Sequence, residues 1–454
     1  MTASASAPRL STAPPAQRQS AAFSLSNPLA AVMAARRLYY GWVVAGATFL
    51  VMLATAGAMG APGVIMLPLE KEFGWSAADI SSALALRIAL YGLIAPFAAA
   101  FINRFGVRPV VTTAVAMICF GILASLAMTE VWQLVALWGV IVGVGTGLVA
   151  LVLGATVATR WFVGRRGLVV GMLTASNATG QLIFLPLLAK LTLDYGWRSA
   201  LAFVIAMLLV AGVVALLTLR DRPADVGLAP YGATAIEPQP KQLLPLGAMM
   251  ASPLRVLYEV RSSRTFWILF ATFFICGLST NGLIQTHWVS LCGDYGVAPV
   301  AAAGALAAIG AFDFVGTILS GWLSDRYDNR WLLFVYYGLR GLSLILLPFT
   351  GFSVIGLSAF AVFYGLDWVA TVPPTVRMTA ERFGAEKANL TFGWIFTAHM
   401  LGAAAAALGG GISRTEFLTY LPSLYVAGVA CVVAAGLVLT LARPRPRQAA
   451  VAAA

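Results

Sequence analysis

The sequence predicts an all-α integral membrane protein whose 12 transmembrane helices form two pseudo-symmetric six-helix bundles. Three observations carry this. Hydrophobic residues fill 60% of the 454 positions and charged residues only 10%, far from the balance of a soluble domain. Apolar runs of about 20 residues, each long enough to cross a bilayer as a helix, recur along the chain. One long polar interval separates the sixth run from the seventh. A short charged motif on either side of it repeats about half a chain length apart, at Arg104 and again at Arg326.

The elements follow in order. Residues 1–38 are rich in Ala, Ser and Pro, carry Arg9 and Arg18 and hold no acid. They are read as a disordered cytoplasmic tail without a cleavable signal peptide. The N-terminal bundle, 39–219, takes spans at 39–67, 77–101, 109–128, 131–157, 167–193 and 197–219. Residues 220–264 combine Pro, Gly and charge, the signature of a linker, with a short surface helix expected near Leu254–Val260. The C-terminal bundle, 265–442, takes spans at 265–292, 298–323, 331–350, 353–376, 388–412 and 417–442, and 443–454 is a second cytoplasmic tail. The alternating polarity of a membrane β-barrel is absent from these runs.

Basic residues set the orientation, because they stay on the cytoplasmic side of short loops. With both ends inside, 23 Lys and Arg residues fall on the inner side, against Lys71, Lys190, Arg198 and Arg414 outside. The net charge of +12 is therefore a topology signal and not a nucleic-acid footprint. Cys119, Cys276, Cys292 and Cys431 lie in or beside apolar runs without paired spacing and read as buried free thiols.

The stretch "GWLSDRYDNR", Gly321–Arg330, sets four charges between two apolar runs. It resembles the loop signature of the major facilitator superfamily, Gly-x-x-x-Asp-Arg-x-x-x-Arg, which joins the second and third helices of each half. Gly321, Asp325, Arg326 and Arg330 match the second-half copy. The first copy, "AAFINRFGVR", keeps Arg104, Gly106 and Arg108 but has Ala99 for the glycine and Asn103 for the aspartate. The resemblance implies a major facilitator fold in which helices 1, 2, 4, 5, 7, 8, 10 and 11 face a central cavity. It also implies gating roles on the cytoplasmic side for Asp325, Arg326, Arg330, Asn103, Arg104 and Arg108. Two more stretches, "EFGWSAADIS" (Glu72–Ser81) and the run opening "RWFVGRRGLVVGM" at Arg160, are similar to the monocarboxylate and oxalate–formate branch. The Gly-Pro-x-x-Gly-Gly run of drug–proton antiporters is missing from the fifth span, which reads "ATGQLIFLPLL".

Ionisable groups inside a membrane are costly and mark candidate sites. Arg87 falls about 15 Å into the second span and His399 about 16 Å into the eleventh, both near the midplane where such sites lie. A guanidinium offers paired hydrogen bonds to a carboxylate, so Arg87 is the expected anion-binding residue. Asn177, Gln181, Asn281, Gln285 and Trp394 are the expected neutral cavity residues. Asp313 and His399 are the expected proton-coupling groups. The resemblance to monocarboxylate transporters implies an arginine one turn after Asp313, where this chain has Thr317. Arg340 and Asp367 lie at matching depths on consecutive spans and are expected to form a structural ion pair. His287 is expected to meet water at the outer end of the seventh span, and Pro373 and Pro374 to end or bend the tenth.

The reading is a secondary transporter of the bacterial inner membrane, a monomer, moving a small organic anion by alternating access in symport with a proton. Its partners are the substrate, a coupling ion and the lipid bilayer. There is no phosphate-binding loop, cofactor or metal motif, and no enzymatic site is expected. Export of hydrophobic or drug-like compounds, or a transport-inactive sensor, are the alternatives.

Overall fold

The structure, a computed structural model, describes residues 26–36, 38–149, 152–163, 165–233, 236 and 245–442. Twelve long helices organise it. The first half holds α1 (Gly41–Phe73), α2 (Ala77–Phe105), α3 (Val107–Ser125), α4 (Val131–Trp161), α5 (Arg166–Tyr195) and α6 (Trp197–Thr218). The second holds α7 (Arg264–Asp294), α8 (Pro299–Ser324), α9 (Asn329–Thr350), α10 (Val354–Phe383), α11 (Ala385–Phe417) and α12 (Leu421–Leu439). Eleven are long and apolar enough to cross a membrane. The other, α5, has 30 residues and is about 45 Å long.

Local signals explain the ends. Helix α1 runs past the expected 67 because Glu70, Lys71 and Glu72 are good helix formers, and it stops only at Gly74, whose φ of 69° suits glycine. Ser76 then starts α2 with a capping box, its hydroxyl accepting the Asp79 N–H while the Asp79 carboxylate accepts the Ser76 N–H. Hydropathy alone underestimates such ends, because the helix continues into the interfacial region. For the same reason α11, expected over 388–412, spans 33 residues.

Helix α1 is the most enclosed span, with 78% of its apolar window buried, whereas α9 (33%), α6 and α12 (both 39%) form the periphery. Their outward faces carry exposed Leu209, Val213, Leu339, Leu342, Val429 and Val433, as a bilayer requires. Helix α8 is also only 39% buried, because Phe314, Val315, Ile318 and Leu319 turn outward.

The face carrying the linker is termed the linker face, and its opposite the far face. The halves join where α2 packs along α11 and α5 along α8. Near the far face α1 meets α7, and the Ala78 N–H of α2 donates to Thr415 Oγ1 of α11 at 3.1 Å. At the linker face, α4 and α10 share no extended contact among the described residues. The halves are thus sealed on the far side and parted on the linker side.

Apolar side chains gain little from leaving lipid, so close packing must hold such helices together. Two glycines show how close. A Cβ on Gly63 of α1 would lie 2.9 Å from the Gln285 carbonyl oxygen of α7, and one on Gly277 of α7 would overlap the His399 carbonyl oxygen of α11. Gly277→Ala is accordingly expected to cost about 3 kcal/mol. A fall in the thermal midpoint, read by fluorescence-detected size exclusion, checks this; an unchanged midpoint would show that α11 can shift aside.

Three central helices are interrupted within their spans. Helix α4 is π-helical over Val135–Val142 and α7 over Leu278–Gln285. Helix α10 breaks between Asp367 and Val372. Such wide turns and breaks free backbone groups and re-aim side chains, and they recur at functional sites.

The linker is less plain than its composition suggests. Its first part packs under the first half: the Tyr231 N–H donates to the Trp161 carbonyl at 2.8 Å and the Val163 N–H to the Tyr231 carbonyl at 2.9 Å. Its helix spans Leu246–Val260, longer than expected, with Met249, Pro253, Val256 and Val260 buried against the bundle. Trp394 Nε1 donates to the Pro253 carbonyl at 2.8 Å and Lys387 pairs with Glu259 at 2.6 Å, so this helix is pinned to α11.

Candidate functional site

A cavity of about 20 Å³ lies between the halves, lined by Met59, Arg87, Tyr91, Asn281, Gln285 and Met400 among others. That is room for a single water. An organic anion would need the walls to part, and the two methionines are flexible enough to yield.

Arg87, on α2, is 6% exposed. Its Nη1 donates to the Met59 carbonyl at 3.2 Å, its Nε has no partner, and no carboxylate lies within ion-pair distance of it among the described residues. A guanidinium cannot shed its charge, so a buried and unneutralised one is a standing electrostatic cost that a bound anion would remove.

Across the seam, Asn281 and Gln285 lie four residues apart on the π-helical turn of α7 and hydrogen-bond each other, Asn281 Nδ2 donating to Gln285 Oε1. His399 of α11 donates from Nε2 to Asn281 Oδ1 at 2.9 Å. Its ring rests between Phe273, 5.0 Å away, and Phe396, while its Nδ1 is buried without a partner. One chain of side chains therefore runs from His399 through Asn281 and Gln285 to the cavity that holds Arg87.

Other expected residues stand elsewhere. Trp394 is no cavity wall: it is taken by Pro253 and by an edge contact with Phe97. Asn177 and Gln181 lie on α5, and their side chains fall outside the described residues. His287 does not meet water: it is fully buried, its Nε2 bonded to the Ala407 carbonyl at 2.7 Å and its ring 5.0 Å from Tyr420, because α11, at Ala407 and Gly410, packs directly on its ring.

Asp313 lies away from the cavity, facing the break in α10. Its Oδ1 accepts the Val369 N–H at 2.9 Å and the Thr317 hydroxyl at 3.0 Å. It is thus an acid held by two neutral hydrogen-bond donors. Beside it Arg340 Nε meets Asp367 Oδ2 at 2.7 Å, with side-chain exposures of 0% and 7%. Arg340 Nη1 donates to Cys276 Sγ at 2.9 Å.

The charged motifs are tied within their own halves. Asp325 pairs with Arg377 of α10 at 2.6 Å. Arg330 pairs with Asp328 at 2.6 Å and donates to the Leu441 carbonyl at 3.0 Å. Arg326 donates to the Trp322 carbonyl and lies over that ring, 4.1 Å from its centroid. In the first half Asn103 accepts from Arg160 Nη2 at 2.5 Å, and the missing acid is supplied by Asp221, just past α6. Asp221 accepts the Val107 N–H at the start of α3 and lies 3.9 Å from Arg160. Arg104 is exposed, and Arg108 is half-buried at the start of α3. Each of these contacts stays within one half, so in this conformation they brace the halves separately. The substitution at Asn103 was the signal that an acid had to come from elsewhere in the chain. Tyr91, Met59 and Met400 left no such signal.

The family model of the Major Facilitator Superfamily matches residues 45–407. The uncharacterized MFS-type transporter YcxA of Bacillus subtilis (strain 168) is 27% identical over 353 residues, covering 76% of this chain and 82% of that protein. Monocarboxylate transporter 13 of Bos taurus is 27% identical over 407 residues, covering 88% and 89%. Among solved structures, a bacterial homologue of the human lysosomal transporter Spinster, in an inward-facing and occupied conformation, superposes with a TM-score of 0.68 at 16% identity, covering 88% of this chain and 96% of that one. With twelve helices in two halves, a polar site at their seam and the family match over most of its length, this chain belongs to the major facilitator superfamily and is a multi-pass membrane transporter.

Proposed function

We propose that the protein moves a small organic anion of the carboxylate class across the bacterial inner membrane by alternating access, in symport with a proton. The observation that carries this reading is Arg87: a buried guanidinium at the seam of the halves with no acid to balance it. The kinship with monocarboxylate transporters supports the substrate class.

In this reading Arg87 takes the carboxylate through paired hydrogen bonds, while Asn281 and Gln285 contact its neutral part. Asn177 and Gln181 of α5 are proposed as further neutral contacts. His399 communicates with the site through Asn281, and Asp313 holds the coupled proton at the α10 break. The asymmetry of Lys and Arg makes the linker face cytoplasmic and both termini cytoplasmic, so the present conformation is the one open inward. The protein works as a monomer.

Uptake of a panel of labelled carboxylates into proteoliposomes tests the proposal. Accumulation of at least one carboxylate above its outside concentration is expected only under an inward proton gradient. Folded protein that moves none of them, with or without the gradient, would overturn the reading.

A further inference from the structure

A second cavity, of about 590 Å³, lies in the first half. Its walls are Phe97, Phe101 and Phe105 of α2, Val110 of α3, Leu148 of α4 and Met250 of the linker helix. Phe105 and Thr113 on its rim are exposed, so it opens at the protein surface. Along α2 it runs from Ile94 to Phe105 at the linker face. That is a rise of about 16 Å, half of a hydrocarbon core of roughly 30 Å, and thus the depth of one leaflet. Phe101 and Phe105 stack along it, their ring centroids 6.3 Å apart and their planes 19° from parallel, making one flat wall.

The mouth of this groove is cationic and lies at headgroup level. Arg104 stands seven residues beyond Phe97, two helical turns on, and so shares its face of α2. It is exposed and makes no hydrogen bond or ion pair among the described residues, whereas its neighbour Asn103 is taken by Arg160. The linker helix over the groove is two-sided. Met249, Val256 and Val260 are buried against the bundle, while Leu254 and Tyr258 are 52% and 64% exposed. Arg261 lies 3.7 Å from the centroid of the Tyr258 ring. Exposed apolar and aromatic residues beside arginine are the pattern of a helix lying in the membrane interface. This helix packs on both α2 and α11, so whatever fills the groove touches the first half and a helix that the second half holds.

We propose that this groove is a binding site for one anionic phospholipid, with an acyl chain along Phe97, Phe101 and Phe105 and the phosphate on Arg104. The site is separate from the transport site and stands whatever the substrate is. A hollow lined this way does not hold water, because water needs polar partners that these walls lack. Hydrocarbon fits it: at roughly 30 Å³ for each water-sized group the groove has room for about twenty, which is one acyl chain. Elsewhere a lipid chain meets a helix from one side, whereas here α2, α3, α4 and the linker helix surround it and dispersion contacts add up on every face. The arginine selects the headgroup. A guanidinium gives a phosphate two parallel charge-assisted hydrogen bonds, and a zwitterionic headgroup sets its own cation against that contact.

Photocrosslinking in liposomes tests the site. The full chain is placed in phosphatidylcholine vesicles holding a small fraction of phosphatidylglycerol with a diazirine near the end of one acyl chain. Light should label the peptides around Ile94 and Val144, at the deep end of the groove, at least fivefold more than α12, whose exposed Val429 and Val433 sample bulk lipid. Phosphatidylcholine carrying the same diazirine should label the groove about fivefold less, since one arginine at the membrane surface is worth about that factor. Arg104→Gln should abolish this preference. Thr113→Trp, which pushes an indole into the groove from its exposed rim, should cut groove labelling by either lipid about tenfold and leave α12 unchanged. Equal labelling of groove and α12 in the parent would overturn the site. So would parent-like groove labelling in a Thr113→Trp protein that elutes as the parent. Equal labelling of the groove by the two lipids in the parent would overturn the anionic headgroup.

Discussion

Arg87→Gln is expected to lower carboxylate uptake about 100-fold at low substrate while the protein remains folded. Two charge-assisted hydrogen bonds to a carboxylate are worth about 3 kcal/mol together once desolvation is counted, and 1.4 kcal/mol is a factor of ten in binding. The fold should tolerate the change. Arg87 contributes one long hydrogen bond to the Met59 carbonyl and leaves Nε unpaired, so removing it discards a buried charge along with a weak contact. The thermal midpoint without substrate should match or exceed that of the parent, and substrate should no longer raise it. Arg87→Lys should recover little, because an ammonium keeps the charge but cannot form the paired geometry. Parent-like uptake by the Gln variant would remove Arg87 from the site.

The second large effect is expected at Asp367. Asp367→Leu should destabilise the protein by about 3–5 kcal/mol, because it leaves Arg340 fully buried with its charge uncompensated. Arg340→Met should cost less. A buried carboxyl can take up a proton and become neutral, whereas a guanidinium cannot lose one. The double variant should recover most of the charge penalty but not all the stability, since the Asp367 and Trp368 carbonyls still lose the donor that Arg340 gave them. Thermal unfolding of the four proteins in detergent measures this cycle. If Asp367→Leu is the mildest of the three variants, the pair does not set the local charge balance.

Much of the architecture was legible because bilayer spans are written in composition. A run of about 20 apolar residues can do little in a membrane except form a helix, so the spans, the linker and the two halves could be read from hydropathy and the charged motif. The burial of Arg87 and His399 far from the ends of their spans was readable from their positions in the sequence. The cavity was partly legible: Arg87, Asn281 and Gln285 line it, and His399 bonds to Asn281. Trp394 was misplaced because an indole gives no sign of its partner, here a linker carbonyl. Asp313 was assigned by its helix and not by its direction, and α8 turns it towards α10 rather than towards the seam.

By itself the sequence determined what the membrane enforces: helical spans, their number, the side that holds the basic residues, and which rare charges lie too deep to be solvated. Only the tertiary structure decided how those charges are used. Asp367 balances Arg340, Asp221 stands in for the acid missing at Asn103, Asp313 holds the broken turn of α10, and Arg87 is a buried cation left without a carboxylate among the described residues. Burial is a property of one residue and its span and is written locally. Neutralisation is a property of pairs brought together from distant parts of the chain, and it exists only once the helices have packed.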